Sequence, residues 1–304
     1  MITRQQWYDT RFIKLEIIKS LIHRETVFLP FYQDEIDGKI KAKPPVRNLN
    51  ASYDKMLDRH FQEFDFFNQK MNLYASLVTW KDFPTFNYNW RIRSQEQDIW
   101  NKKFDDYIIA LDWFIETDSD TLYPAIEDGK RIKKMLDEYK IKYCVSYSGS
   151  KGLHFIIPYE DISFLPVKIF DRDMESEISN FKKYLPRFPV KISDLNKIAD
   201  LVLLLKVMSI RLKRIYALDT LDDSVSDIRR IRKTPYSWDV KSDKICLPLT
   251  DEQLDNFDKN KMSADEVIKI RLFKRGQLWR NEYVDIKVRQ QGILELLREL
   301  EIIV

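Results

Sequence analysis

Cysteine is scarce: Cys144 and Cys246 are the only two in 304 residues. Both sit in apolar, strand-like runs (KYCVSY and KICLPL), and neither has a partner at CxxC spacing. Count and spacing exclude a disulfide framework and a cysteine zinc site. No structural zinc is expected, and two buried free thiols in a reducing compartment remain as the reading. An excess of one charge is also missing. Lys and Arg number 51 against 48 Asp and Glu, a net charge of +3, so only local clusters can argue for a nucleic-acid partner. No apolar run approaches ~18 residues, and the N-terminus, MITRQQWYDTRF, is amphipathic and charged rather than leader-like. These absences predict a soluble, cytoplasmic chain with no membrane partner. Internal repeats, low-complexity tracts and the GxxxxGK[ST] phosphate loop are missing as well.

Aromatics are plentiful, with 7 Trp, 15 Tyr and 18 Phe. Most belong in a core, and any exposed ones suit base stacking. Periodicity predicts a helix over 3–24 capped by Thr3, loop or short strands over 29–48, a helix over 52–68 and a strand over 73–80. A loop or helix is expected at 91–103. A regular strand–helix–strand–turn–strand unit follows: IIALDWFI, a helix over 120–139, KYCVSY, SGSKG and LHFIIP. Then come a long helix over 193–216, an acidic-then-basic segment, a strand at 244–249 and a helical end with a capping box at Ser263 and Glu266. The fold class is α/β (α+β). Three stretches result: 1–104, packing on the core; a core at 105–250; and a helical region at 251–304.

Three segments carry the chemistry. In IETDSD, Glu116 and Asp118 lie two apart on a strand end and so share a face, ~6.5–7 Å from each other along the strand. Paired carboxylates suit Mg²⁺ or Mn²⁺; a solvated strand end before a helix N-cap is the structural alternative. Asp112 has the same parity deeper in the strand, as a structural or a third functional acid. In SYSGSKGLHF, glycines let backbone N–H groups approach an anion, Lys151 adds positive charge, and His154 points opposite to Leu153 and Phe155. A plain hairpin with a half-buried His accounts for the same residues. In LDDSVSDIRRIRKTPYSWD, acids at Asp222, Asp223 and Asp227 are followed at once by Arg229, Arg230, Arg232 and Lys233, a pattern suited to a metal ligand beside phosphate-binding groups. The basic stretches at 181–191 and 268–280 can track template phosphates or simply face solvent.

Taken in order, an acidic strand end, SGxxGxH and DxRRxRxxP followed by LPL resemble the catalytic core of the archaeo-eukaryotic primase (AEP) superfamily. The likeness spans roughly residues 105–250 and touches the strand LYASLVTW. It implies an α/β core with an RRM-like mixed sheet and flanking helices. It further implies two-metal phosphoryl transfer with Mg²⁺ or Mn²⁺ on NTP or dNTP substrates. By the same resemblance Glu116 and Asp118 match the first motif, and His154 matches the second with Ser148 and Lys151 in its turn. Asp227 is first choice for the third acid, ahead of Asp222 and Asp223, and Arg232 matches a basic position before Pro235. The resemblance implies a DNA primase or primase-polymerase working on a single-stranded DNA template. A large primase subunit or another replication protein is the implied partner, reached in one reading by the apolar C-terminal tail. The first motif opens with Glu where Asp is usual, so Asp118 with Asp120 is the alternative pair. The accessory Cys/His zinc cluster and a His after Pro–x–Ser are both missing. A repair polymerase, a mobile-element enzyme, a catalytically degenerate nucleic-acid-binding subunit and a metal-dependent nuclease stay open beside it.

Overall fold

Thr3 opens the first helix as predicted. Its hydroxyl accepts from the Gln6 N–H at 3.2 Å, and the Gln6 side-chain oxygen accepts from the Thr3 N–H at 2.9 Å, a closed capping box. The expected single helix is two, α1 (Arg4–Asp9) and α2 (Arg11–Leu21), because the backbone of Thr10 between them is extended. Trp7 and Tyr8 of α1 and Ile13, Ile17 and Leu21 of α2 all enter the core. The computed structural model describes residues 1–35, 38–81, 108–165, 197–223, 230–269 and 278–302. The element expected at 91–103, the basic stretch 181–191, much of 268–280 and Asp227 lie outside them.

After α2 the chain builds a sheet around β1 (Thr26–Gln33), which pairs antiparallel with β2 (Ile40–Ala42), β3 (Val46–Leu49) and, beyond α3 (Asp54–Glu63), β4 (Met71–Ser76). Two predicted strands are each broken in the middle. LYASLVTW divides at Leu77 into β4 and β5 (Val78–Trp80); IIALDWFI divides at Asp112 into β6 (Ile108–Leu111), which pairs with β5, and β7 (Trp113–Asp118). One side chain gathers both breaks. Arg24 donates to the carbonyls of Ser76 and Leu77 at 3.1 and 2.5 Å and pairs with Asp112 at 2.6 Å. Asp112 also accepts from the Tyr159 N–H at 3.2 Å. It is a structural acid holding a joint.

The predicted unit that follows is present: β7, α4 (Leu122–Glu138), β8 (Cys144–Tyr147), a tight turn and β9 (Gly152–Ile157). β9 lies between β7 and β8 and is antiparallel to both, so β7 and β8 run parallel with a strand between them, a split βαβ. After α5 (Tyr159–Ile162) and α6 (Lys197–Ile215), β10 (Ile231–Lys233) returns to the first sheet as the edge strand beside β4. A small ribbon, β11 (Trp238–Asp239) with β12 (Lys244–Ile245), precedes β13 (Leu247–Pro248), which closes the second sheet against β8. Where the resemblance implies a mixed sheet, every strand pair among the described residues is antiparallel. The intervening β9 is the reason, since it separates the two parallel members of the unit. Short α7 (Asp251–Asp255) and α8 (Ala264–Lys269) lead to α9 (Ile286–Glu299). Ile293, Leu296, Leu297 and Leu300 of the apolar tail are fully buried, so the tail closes the core of its own chain. Both cysteines are buried and free, their thiols pushed up to about 12 by burial.

Candidate active site

Strand register assembles the acid edge. β7 and β9 align so that Glu116 lies directly opposite His154 and Asp118 opposite Gly152. Directly paired residues project to the same face, and Glu116 Oε1 is 3.3 Å from His154 Nε2. His154 is more than half-buried, at 5% exposure, with its ring edge-on to Phe114 at 5.1 Å. Leu153 and Phe155 point the other way into the core, as alternation requires. Burial by itself raises the Glu116 carboxyl. The hydrogen bond and charge of His154, joined by Arg230, outweigh it and hold the group at about 2.

The SGSKG turn is shaped by its glycines. Gly149 has φ +81°, the left-handed region where a side chain is strained. At Gly152 a Cβ would sit 1.6 Å from the Thr117 carbonyl oxygen, so only glycine lets β9 approach β7 here. Ser148 is the turn's internal anchor: its Oγ accepts from the N–H groups of Ser150 at 3.3 Å and Gly152 at 3.2 Å. Lys151 stands exposed, 2.6 Å from Asp120. Two residues named as nucleotide-binding, Ser148 and Lys151, therefore lie within one turn of the acid edge, and one of them is engaged in building the turn itself.

A third carboxylate arrives from far along the chain. Beyond α6 the backbone turns at Ala217 (φ 47°) and runs antiparallel beside β7, bridging Leu221 to Thr117. Asp118 N–H donates to the Thr220 carbonyl and Asp222 N–H to the Glu116 carbonyl, both at 2.8 Å. Asp128 of α4 fastens this segment by accepting from the Thr220 N–H and hydroxyl at 2.9 and 2.8 Å. Arg230 spans the acids, with Nη2 2.8 Å from Glu116 Oε2 and 3.0 Å from Asp222 Oδ2. Sequence reasoning ranked Asp222 second and gave Arg230 no special role. Alternation held a signal for Asp222: Leu221–Asp222 repeats the buried-then-polar step of Ile115–Glu116 and Thr117–Asp118. Nothing local pointed to Arg230.

Asp118 differs from its neighbours. Its carboxylate is exposed and, among the described residues, accepts no hydrogen bond. Partial burial raises it first, then the charge of Glu116; Lys151 opposes, and Asp222 and Asp120 add to the rise. Excess negative charge is thus concentrated at this carboxyl. The donors Glu116, Asp118 and Asp222 are hard carboxylate oxygens, the type that Mg²⁺ and Mn²⁺ take, and a divalent cation would relieve the repulsion at Asp118. No preset group of three or more His, Cys, Asp or Glu is gathered for a metal among the described residues. Arg230 holds Glu116 and Asp222 in ion pairs instead.

Arg232 is elsewhere. Two residues beyond Arg230, it is 4% exposed and lines a cavity with Glu16, Lys19, Ser20, Arg24, Pro235, Tyr236 and Trp279, none of them from the acid edge. The residue after Arg232 belongs to a buried network. Lys233 pairs with Asp239, which also accepts from Asn72 Nδ2 at 2.9 Å and from the N–H groups of Lys241 and Ser242 at 3.0 and 2.9 Å. Burial pushes the Asp239 carboxyl up, and Lys233 with Ser242 brings it below its ordinary value.

The fold is one that a polymerase domain uses. One similar solved structure is the polymerase domain of Mycobacterium tuberculosis ligase D in complex with DNA, with a TM-score of 0.54 and 13% identity over 91% of this chain and 90% of that one. No protein-family model matches the chain, and no curated protein matches it in sequence. No helix among the described residues is long and apolar enough to cross a membrane.

Proposed function

We propose that this chain is a nucleotidyltransferase that uses nucleoside triphosphates to extend or begin a nucleic-acid strand at the Glu116–Asp118–Asp222 edge. The observation that carries it is the antiparallel run of residues 220–222 beside β7, which adds a third acid to the pair, in a fold shared with a polymerase domain. Mg²⁺ or Mn²⁺ would be held by Glu116, Asp118 and Asp222, and would supply activation of the attacking hydroxyl and neutralisation of charge on the leaving phosphates. The protein's own groups position and balance charge. His154 orients Glu116 and offers its imidazole toward the same face. Arg230, whose Nη2 already bridges two carboxylates, is suited to exchange them for phosphate oxygens. Asp222 serves as the third acid in this reading; Asp227, outside the described residues, keeps its place as the sequence-based choice. Single-stranded DNA as template and a primase subunit as partner remain part of the proposal.

A second reading has its own observation. The pairing of Glu116 with both His154 and Arg230 fits a degenerate, nucleic-acid-binding subunit in which ion pairs replace the metal. The test is synthesis on primed and unprimed single-stranded templates with Mg²⁺ or Mn²⁺ and either nucleotide type, beside Asp118→Asn. Product that disappears in the variant supports the enzyme, and product without a primer makes it a primase. A folded chain that binds template yet yields no product favours the degenerate subunit.

A further inference from the structure

The cavity at Arg232 is separated from the acid edge by position and by chemistry. Its volume is about 210 Å³, several times the roughly 30 Å³ that one water occupies in the liquid. Three of its eight lining side chains are cationic, Lys19, Arg24 and Arg232, against one acid, Glu16. Two of the cations are already paired: Lys19 with Glu16 at 2.6 Å, and Arg24 with Asp112 at 2.6 Å. Arg232 is not. Its Nε is buried without a hydrogen-bond partner, and among the described residues its guanidinium makes no hydrogen bond or ion pair. The neighbouring Arg24 sets a like charge against it, and the Asp112 carboxylate that acts in its favour is already paired with Arg24.

A guanidinium cannot escape by giving up its proton, so a buried and unpaired one is costly. The flanking Lys233 shows the ordinary remedy, a buried carboxylate on the same strand segment. Among the described residues no carboxylate pairs with Arg232, although it lines a cavity with space beside it. A planar guanidinium lining the cavity, a second guanidinium alongside and room for a small group together define a receptor for a tetrahedral oxyanion. Trp279 and Tyr236 close the walls around it.

We propose that this cavity is a second anion site, in which a phosphate group seats against Arg232 and Arg24. It stands whether or not the acid edge is a nucleotidyltransferase centre. The phosphate can come from inorganic phosphate or from the tail of a nucleotide.

The test follows thermal unfolding of the full chain in EDTA, which keeps metal–nucleotide complexes from the acid edge. Sodium phosphate is titrated against sodium chloride at equal ionic strength, for the natural chain and Arg232→Met. Phosphate at saturating concentration should raise the natural chain's midpoint by about 3–8 °C beyond chloride, with the increment lost in Arg232→Met. Without phosphate, Arg232→Met should melt no lower than the natural chain, because the substitution removes an unpaired charge while keeping the packing. Equal increments in both chains overturn the proposal. A parallel titration with nucleoside triphosphate identifies the source: an increment lost in Arg232→Met assigns the nucleotide tail, and one that persists beside a lost phosphate increment assigns free phosphate. If Arg232→Met does not fold, calorimetry of phosphate into the natural chain decides, since no saturable heat at millimolar phosphate also overturns the site.

Discussion

Asp239 and Asp118 are the same side chain placed in opposite circumstances. Asp239 is buried and saturated, by Lys233, by Asn72 and by two backbone N–H groups, and its carboxyl ends below the ordinary value. Asp118 is exposed and unbonded among the described residues, faces like charges, and ends above it. A satisfied acid is a structural member; an acid left in repulsion with its neighbours is held for something that arrives later. The difference can be broken or sharpened by substitution.

The largest effect is expected at Asp118. Asp118→Asn should reduce nucleotide incorporation on the order of 10³-fold or more in a primer-extension assay. The fold should not suffer. A carboxyl whose folded value is raised subtracts stability wherever it is ionised, so the unfolding free energy should stay level or rise by less than about 1 kcal/mol, given its exposure to screening solvent. A fall in stability would mean that Asp118 holds structure. Asp239→Ala should do the reverse, with a loss of about 3–5 kcal/mol in urea unfolding because Lys233 is left buried without a partner. Gly152→Ala comes next. A Cβ against the Thr117 carbonyl must push β9 from β7, at about 1–3 kcal/mol, with activity lost in step as Glu116 and His154 separate.

The fourth effect is smaller and depends on pH. Glu116 falls from an ordinary 4.5 to about 2 in the fold, so its ionised form contributes stability above about pH 4.5, and that contribution is lost as pH falls toward 2. Glu116→Gln should flatten this part of the acid limb in unfolding measured from pH 5 to pH 2. An unchanged slope would show that the His154 and Arg230 pairs contribute little. The smallest effect belongs to the exposed Lys151–Asp120 pair: Lys151→Ala should leave the melting midpoint where it is, while a raised nucleotide KM would give Lys151 its proposed binding role.

Much of the fold could be read along the chain. The βαβ unit and its turn were legible because each piece is local: a period-2 run, a period-3.6 run, and glycines whose turn needs left-handed φ or close approach. His154 was placed on the correct face by parity alone. What escaped was set by pairing at long range. The breaks at Leu77 and Asp112 depend on a single Arg24 reaching both, and no window of sequence contains all three. Arg230 meets Glu116 across 114 residues, and its neighbour Arg232, similar in local pattern, turns into a separate cavity.

The sequence by itself determined the character of the acid edge: which carboxylates alternate onto one face of β7, and that a glycine turn carries His154 back beside them. Hydrophobic alternation and backbone sterics suffice for that, since both act within a few residues. Tertiary structure alone decided which distant acid joins the pair, which arginine neutralises it and which is left buried and unpaired. Those outcomes depend on how two sheets meet, and the energy of a charge depends on the partners that such a meeting supplies.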